Sequence, residues 1–265
     1  MSEHTPFSYV CRCGNTFAGR PLLPPPNWEY HGAELLCDDC IRKPAAITQN
    51  GIDPNGRGQD MGRASDQAAI ATAILLRSGS YLDLANPDCR RIEPIDIAAG
   101  LRQPRFCAQT PQLYTIAQHS LLVLKLVEPI AQEIGGTRGH HLRWCALMHD
   151  AAEAFIHDIT RPLKCQLADY LRIETKLEKR LFAAFGVEWT AYRKSIIKRC
   201  DLSALAIEQR DLLGNTHNWP CFDNIKREDL KNVTIRRCWS EDEAQARFLD
   251  AFFDLQSTMA RKEAA

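Results

Sequence analysis

The first half of the stretch ALMHDAAEAFIHDITRPLK, residues 146–164, sets three ionisable side chains in an apolar frame. Ala146, Leu147, Met148, Ala151, Ala152, Ala154, Phe155 and Ile156 mark a segment to be buried, yet His149, Asp150 and Glu153 interrupt it. On a helix, His149 and Asp150 point about 100° apart and both reach one point beside it, while Glu153 lies one turn beyond His149 on nearly the same face. Neutral imidazole and carboxylate are ligands for divalent metals. Two ligands are too few for a tight site, so others must come from other helices. His119, in LYTIAQHSLLVLKLV, and Asp201, in IIKRCDLSALAIEQRDLL, both sit in apolar helical patterns. An unpartnered buried carboxylate or imidazole is costly, and a shared metal explains why three helices would each carry one. Taken alone, the His149–Asp150 dipeptide reads more simply as a hydrogen-bonded pair at a helix surface.

The elements that must position these groups are mostly helical. Glu93–Leu101, with Pro94 in the first turn, reads as a short helix, and Ser120–Ile134 as a longer one with Pro129 as a kink or break. His141–His157 is expected to form one helix ending before Pro162. Leu167, Leu171, Leu177, Leu181 and Phe185 recur at three-and-four spacing ahead of Gly186, which predicts a helix over 166–185. Ala191–Leu213 reads as another, and residues 215–239 mainly as loop. Ser240 followed by Glu243 is a capping box that opens a last helix carrying Phe248, Phe252 and Leu255. Around Ser78–Gly79, two short apolar runs suit a hairpin. The fold expected is mainly α, divided into an N-terminal module (1–48), a Gly-, Asn- and Asp-rich linker (49–65) and a helical domain (66–265).

YTIAQHS, ALMHDAAEAFIHDITRPLK and RCDLSALAIEQRDLL, in that order and spacing, resemble the HD-domain metal-dependent phosphohydrolases, above all the YfbR-like branch. That branch includes bacterial 5'-deoxynucleotidases and the phage deoxyadenosine-triphosphate hydrolases called DatZ. SGSYLDLANPDCRRIEPIDIAAGLRQPRFC resembles the lead-in of phage and bacterial members, and the likeness covers residues 75–215. It implies an HD-domain helical bundle with His119, His149, Asp150 and Asp201 as ligands of one divalent metal, which could be zinc, cobalt, manganese or magnesium. It further implies Glu153 as the acidic group that handles the attacking water, Arg105 as a phosphate contact and Asp158 as a residue beside the substrate sugar. One departure is visible: Arg105-Phe106-Cys107-Ala108-Gln109-Thr110 stands where the family often reads Arg-Phe-x-Gly-His-Thr. The missing histidine bears on base or phosphate contacts at that edge.

The chemistry of the residue types agrees with these roles. A divalent metal lowers the pKa of bound water and orients it for in-line attack on phosphorus. Glu153 can take a proton or orient that water, and Arg105 suits bidentate phosphate binding. Lys164 and Arg161 read either as substrate-facing cations or as solvated loop cations, with Lys164 taken as a substrate-binding candidate. His157 reads as a helix-end histidine, and Glu208 and Asp211 as members of helix salt bridges rather than residues lining the site. Phe106, Tyr114 and Trp144 could stack on a purine, although aromatics at helical spacing usually serve the core.

The N-terminal segment holds CRCG and CDDC. Cys11, Cys13, Cys37 and Cys40 read as four thiolates around one structural zinc, a zinc-ribbon-like module; free thiols and a redox pair are the other readings. A segment this short needs such a staple, and zinc would supply folding energy. The remaining seven of the chain's 11 cysteines make no paired motif and read as small buried hydrophobes.

Composition narrows the function classes. With 33 Lys plus Arg against 33 Asp plus Glu the chain is neutral, which gives no global attraction to nucleic acid or membrane. No apolar run approaches the roughly 18 residues of a membrane span, and MSEHTPFSYVCRCG does not read as a secretory signal, so the expected compartment is the cytosol. The expected function is hydrolysis of 2'-deoxynucleoside 5'-phosphates in nucleotide pool control, with a DatZ-type triphosphohydrolase acting on dATP as the alternative within the class. A catalytically inactive nucleotide-binding protein is the alternative of another class. A deoxynucleotide is the expected partner, a homo-oligomer is left open by the resemblance, and nucleic acid is not expected.

Overall fold

The computed structural model describes residues 72–263, with side chains through Thr258, and the backbone of four short strands nearer the N-terminus. The chain divides into two compact units, Met1–Asn86 and Pro87–Ala265. In the first, β1 (Phe7–Val10) pairs antiparallel with β2 (Thr16–Gly19), and β3 (Trp28–His31) with β4 (Glu34–Cys37). Cys11, Cys13, Cys40 and the expected linker 49–65 lie outside the described residues, and Cys37 is described only as backbone of β4. The hairpin expected around Ser78–Gly79 forms from β5 (Ala73–Leu75) and β6 (Tyr81–Asp83), with Ile74 opposite Leu82. Its turn places Gly79 at φ 87°, where a side chain would be strained.

The second unit is a helical bundle. α1 (Pro94–Gly100) begins with Pro94 at its first position, and Asp96 reaches back 2.9 Å to the Glu93 amide. α2 (Ile116–Ile134) starts four residues earlier than Ser120 because Thr115 caps it, its hydroxyl accepting from the Gln118 amide at 3.1 Å. Pro129 lies inside α2 without ending it.

α3 (Gly136–Met148) and α4 (Glu153–Ile156) replace the single helix expected over His141–His157. The His149 ring supplies a physical reason. Its Nδ1 donates to the Ala146 carbonyl at 2.8 Å, the group that an unbroken helix would give to the Asp150 amide. The backbone tightens instead into i−3 bonds, Ala151 to Met148 and Glu153 to Asp150. α4 ends at His157, whose φ is 69°.

After a short turn, α5 (Arg161–Lys164), come α6 (Ala168–Ala184), α7 (Ala191–Asp211) and α8 (Glu241–Glu263). Residues 215–239 are loop apart from two 3-10 turns, Pro220–Phe222 and Arg227–Leu230. α2 packs on α3 and α7, and α8 covers α1, α2 and α3. Gly139 of α3 meets the Ala131 backbone of α2 so closely that a Cβ has no room. Val123, Val127, Leu142, Leu147, Ile197, Ala204, Phe248 and Phe252 fill the interior. Trp144 packs 4.8 Å from Phe252, and its indole N–H donates to the Phe185 carbonyl. Trp144 and Tyr114 are therefore core residues rather than a platform for a base. Among the described residues no helix is long and apolar enough to cross a membrane.

Candidate metal centre

His119 lies in the first turn of α2, His149 and Asp150 at the break after α3, and Asp201 midway along α7. The fold brings the first three together and sets Asp201 beside His119. His119 Nε2 is 3.3 Å from His149 Nε2, 3.4 Å from Asp150 Oδ2 and 3.4 Å from Asp201 Oδ1. His149 Nε2 is 3.2 Å from the same Asp150 oxygen.

These distances fit a shared cation. Ligand atoms about 2.1 Å from one ion sit about 3.0–3.4 Å from one another in octahedral or tetrahedral arrangement. The tautomers also fit. His149 Nδ1 donates to Ala146 O, and His119 Nδ1 donates to Glu208 Oε1 at 2.6 Å. With Nδ1 committed, each ring can turn its Nε2 inward as a ligand, and two such nitrogens facing each other want a positive charge between them, a metal ion or a proton. His119, His149 and Asp150 form a group able to hold a metal ion, while Asp201 Oδ1 lies beside His119 Nε2 and outside that group.

The charges around the seat are those of a cation site. Burial and Arg105 both act to lower the His119 pKa, yet the carboxylates of Glu208 and Asp201 outweigh them and push it up to about 10. Burial would raise Asp150 and Asp201, but the two imidazoles hold both carboxyls below the ordinary range. Asp201 Oδ2 accepts from Lys198 Nζ at 2.7 Å.

Arg105 reaches the seat from outside α2. Its amide bonds to the Tyr114 carbonyl, and Pro104 bridges Thr115, so residues 103–105 are pinned against the entry to α2. Arg105 Nη1 bonds to Asp150 Oδ2 at 3.3 Å. Glu153, first residue of α4, is buried, and its Oε1 lies 3.6 Å from Lys164 Nζ. Burial, then the charges of Asp150 and Asp158, push its carboxyl well above the ordinary range against the pull of Arg105 and Lys164. Lys164 is half-buried and also pairs with Glu174 at 2.7 Å, so it is not a solvated loop cation; Arg161 is exposed. Asp158 is half-buried, and its charge acts on both Arg105 and Glu153.

Lys198 carries no signal of its own in the sequence, and Glu208 reads there as a helix salt-bridge member. Glu208 is not a surface salt-bridge partner: it is fully buried and bonded to His119. It follows Asp201 by seven residues, two helical turns, so both lie on one face of α7. Lys198, three residues before Asp201, shares that face. Asp211 does pair with its neighbour, Arg210, at 2.6 Å.

Residues 116–206 match the HD domain. The chain is 34% identical over 177 residues to the uncharacterized protein YfdR of Escherichia coli K12, a span of 66% of this chain and 89% of the relative. The chain belongs to the HD-domain family. A second relative, the uncharacterized protein RCAP_rcc00048 of Rhodobacter capsulatus, is 33% identical over 143 residues, 52% of this chain and 71% of its own length. The HD match spans His119, His149, Asp150, Glu153 and Asp201 and stops two residues short of Glu208. Arg105 also lies outside it.

Proposed function

We propose that this protein is a divalent-metal-dependent phosphohydrolase acting on 2'-deoxynucleoside 5'-phosphates. The observation that carries the reading is the meeting of the His119, His149 and Asp150 donor atoms, able together to hold a metal ion, with the Arg105 guanidinium on one of them, Asp150 Oδ2. When bound, a divalent cation supplies positive charge to phosphate oxygens and acidity to water. His119, His149, Asp150 and Asp201 would hold it. Arg105, buried beside it, offers planar donors to phosphate oxygens and to the charge they gain in the transition state. Glu153 stands one turn from Asp150 with an oxygen that no protein group engages. A carboxylate poised by surrounding charges suits orienting water and moving its proton. Lys164 balances Glu153 and adds positive charge on the substrate side. Asp158, whose charge acts on Arg105 and Glu153, would accept from a sugar hydroxyl. Phe106, half-buried with the Arg105 guanidinium 5.5 Å from its ring, is the aromatic left at this edge for a base.

The test is product release from a panel of deoxynucleoside mono- and triphosphates in Mn²⁺ or Co²⁺. Release of inorganic phosphate from monophosphates identifies a 5'-deoxynucleotidase, and release of tripolyphosphate identifies a triphosphohydrolase. Glu153→Gln and His149→Ala should each abolish release. No release by the wild type from any of these nucleotides would reject the reading in favour of a binding protein.

A further inference from the structure

Glu208 is the one carboxylate of the cluster with no exposure at all. An isolated buried carboxylate is costly and persists only where partners compensate it. Its two oxygens face different parts of the site. Oε1 accepts from His119 Nδ1 at 2.6 Å, and Oε2 lies 3.8 Å from Arg105 Nε. Oε2 and Arg105 Nε are buried and make no other close hydrogen bond, although the buried Tyr114 hydroxyl also bears on Glu208. They stand opposite each other, one small side-chain adjustment from a charge-assisted hydrogen bond. The other end of the guanidinium, Nη1, holds Asp150 Oδ2, which faces His119 Nε2 at 3.4 Å. His119, Glu208, Arg105 and Asp150 thus close a ring.

We propose that Glu208 is a positioning residue that ties the cation seat to Arg105, so that one buried carboxylate sets both the ligand imidazole and the phosphate-binding guanidinium. The inference rests on the metal-centre reading above. The Oε1 bond fixes the tautomer and angle of His119 and raises the basicity of its Nε2. The Oε2 contact gives Arg105 a second anchor. A cation held by Asp150 would compete with Nη1 for Oδ2. Glu208 then retains the guanidinium at the site with Nη1 free for a phosphate oxygen.

The experiment is calorimetric titration of the full chain, wild type and Glu208→Gln, first with Mn²⁺ and then with inorganic phosphate at saturating Mn²⁺. Glutamine keeps the shape, but its amide presents neither the negative charge that His119 needs nor an acceptor on both sides. The expected result is an about 10- to 100-fold loss of Mn²⁺ affinity together with a several-fold loss of phosphate affinity once Mn²⁺ is saturating. A variant whose Mn²⁺ affinity is unchanged, or whose phosphate affinity is unchanged at saturating Mn²⁺, overturns the proposal. Wild-type protein that binds no Mn²⁺ overturns instead the metal-centre reading beneath it. Should Glu208→Gln fail to fold by circular dichroism, Glu208→Asp carries the same test: it keeps the charge, shortens the reach and should show both losses in smaller measure.

Discussion

Arg105 and Asp150 meet at 3.3 Å on the oxygen that also faces the Nε2 atoms of both histidines. The guanidinium is therefore held at the point where phosphate must arrive without itself being a metal ligand. Arg105→Lys keeps the charge but loses the planar fork. It should lower kcat/KM by about 100-fold and leave Mn²⁺ affinity within a few-fold of wild type. Steady-state kinetics with parallel Mn²⁺ titration would show this; equal losses in both would make Arg105 part of the cation seat.

Gly100, at the end of α1, lies against the Ala154 backbone so closely that a Cβ cannot be accommodated. The Gln103 amide donates to the same Ala154 carbonyl at 3.3 Å. Together they seat α4, and with it Glu153. Gly100→Ala should destabilise the protein by about 2 kcal/mol in denaturant unfolding. It should also depress turnover in the protein that remains folded, by displacing Glu153. Unchanged turnover per folded molecule would separate the α1–α4 contact from the site.

Directly after Arg105, Phe106, Cys107 and Ala108 take φ values of 56°, 52° and 60°. Side chains rarely adopt that left-handed region, and each such residue stores about 1 kcal/mol. The family motif often carries glycine at the position of Ala108. Ala108→Gly should stabilise the protein by up to about 1 kcal/mol, read as a higher denaturation midpoint. A lower midpoint would show that the turn is not strained there.

Asp211 anchors the loop that follows α7. Its Oδ2 accepts from the Ile235 amide at 2.8 Å, and its partner Arg210 donates to Val233 O at 2.7 Å. Burial would raise the Asp211 carboxyl, but Arg210 and the Ile235 amide outweigh it and hold it below the ordinary value. Because the folded value is depressed, this stabilisation is present above the unfolded carboxylate value of about 4 and is lost as pH falls through the folded one. Asp211→Asn should be less stable than wild type at neutral pH, and the gap in Tm should narrow on acidification below about pH 4. A constant gap would contradict the assignment.

Much of the bundle was legible because apolar spacing and capping signals agree with the tertiary contacts. Ser240 opens α8, its hydroxyl accepting from the Glu243 amide, and Phe248 and Phe252 are buried as their spacing implies. The meeting of His119, His149 and Asp150, with Asp201 beside His119, was legible for a different reason: polar ligands in apolar stripes have few uses other than a shared partner. The break after Met148 was not legible. Periodicity runs straight through residues 149–152, and only the His149 ring's capture of the Ala146 carbonyl reveals it. Glu208 was misread because a glutamate near a helix end normally faces water; its two-turn spacing from Asp201 was the signal available.

The account depends on a single cation seat. The most direct measurement is the Mn²⁺ stoichiometry of the full chain by equilibrium dialysis and elemental analysis, for the wild type, His149→Ala and Asp201→Ala. Mn²⁺ prefers oxygen and imidazole donors to thiolates, which separates this seat from the N-terminal cysteines. The prediction is one tightly held Mn²⁺ per chain in the wild type and none in either variant. Wild-type protein without bound Mn²⁺, or variants that retain it in full, would contradict the account.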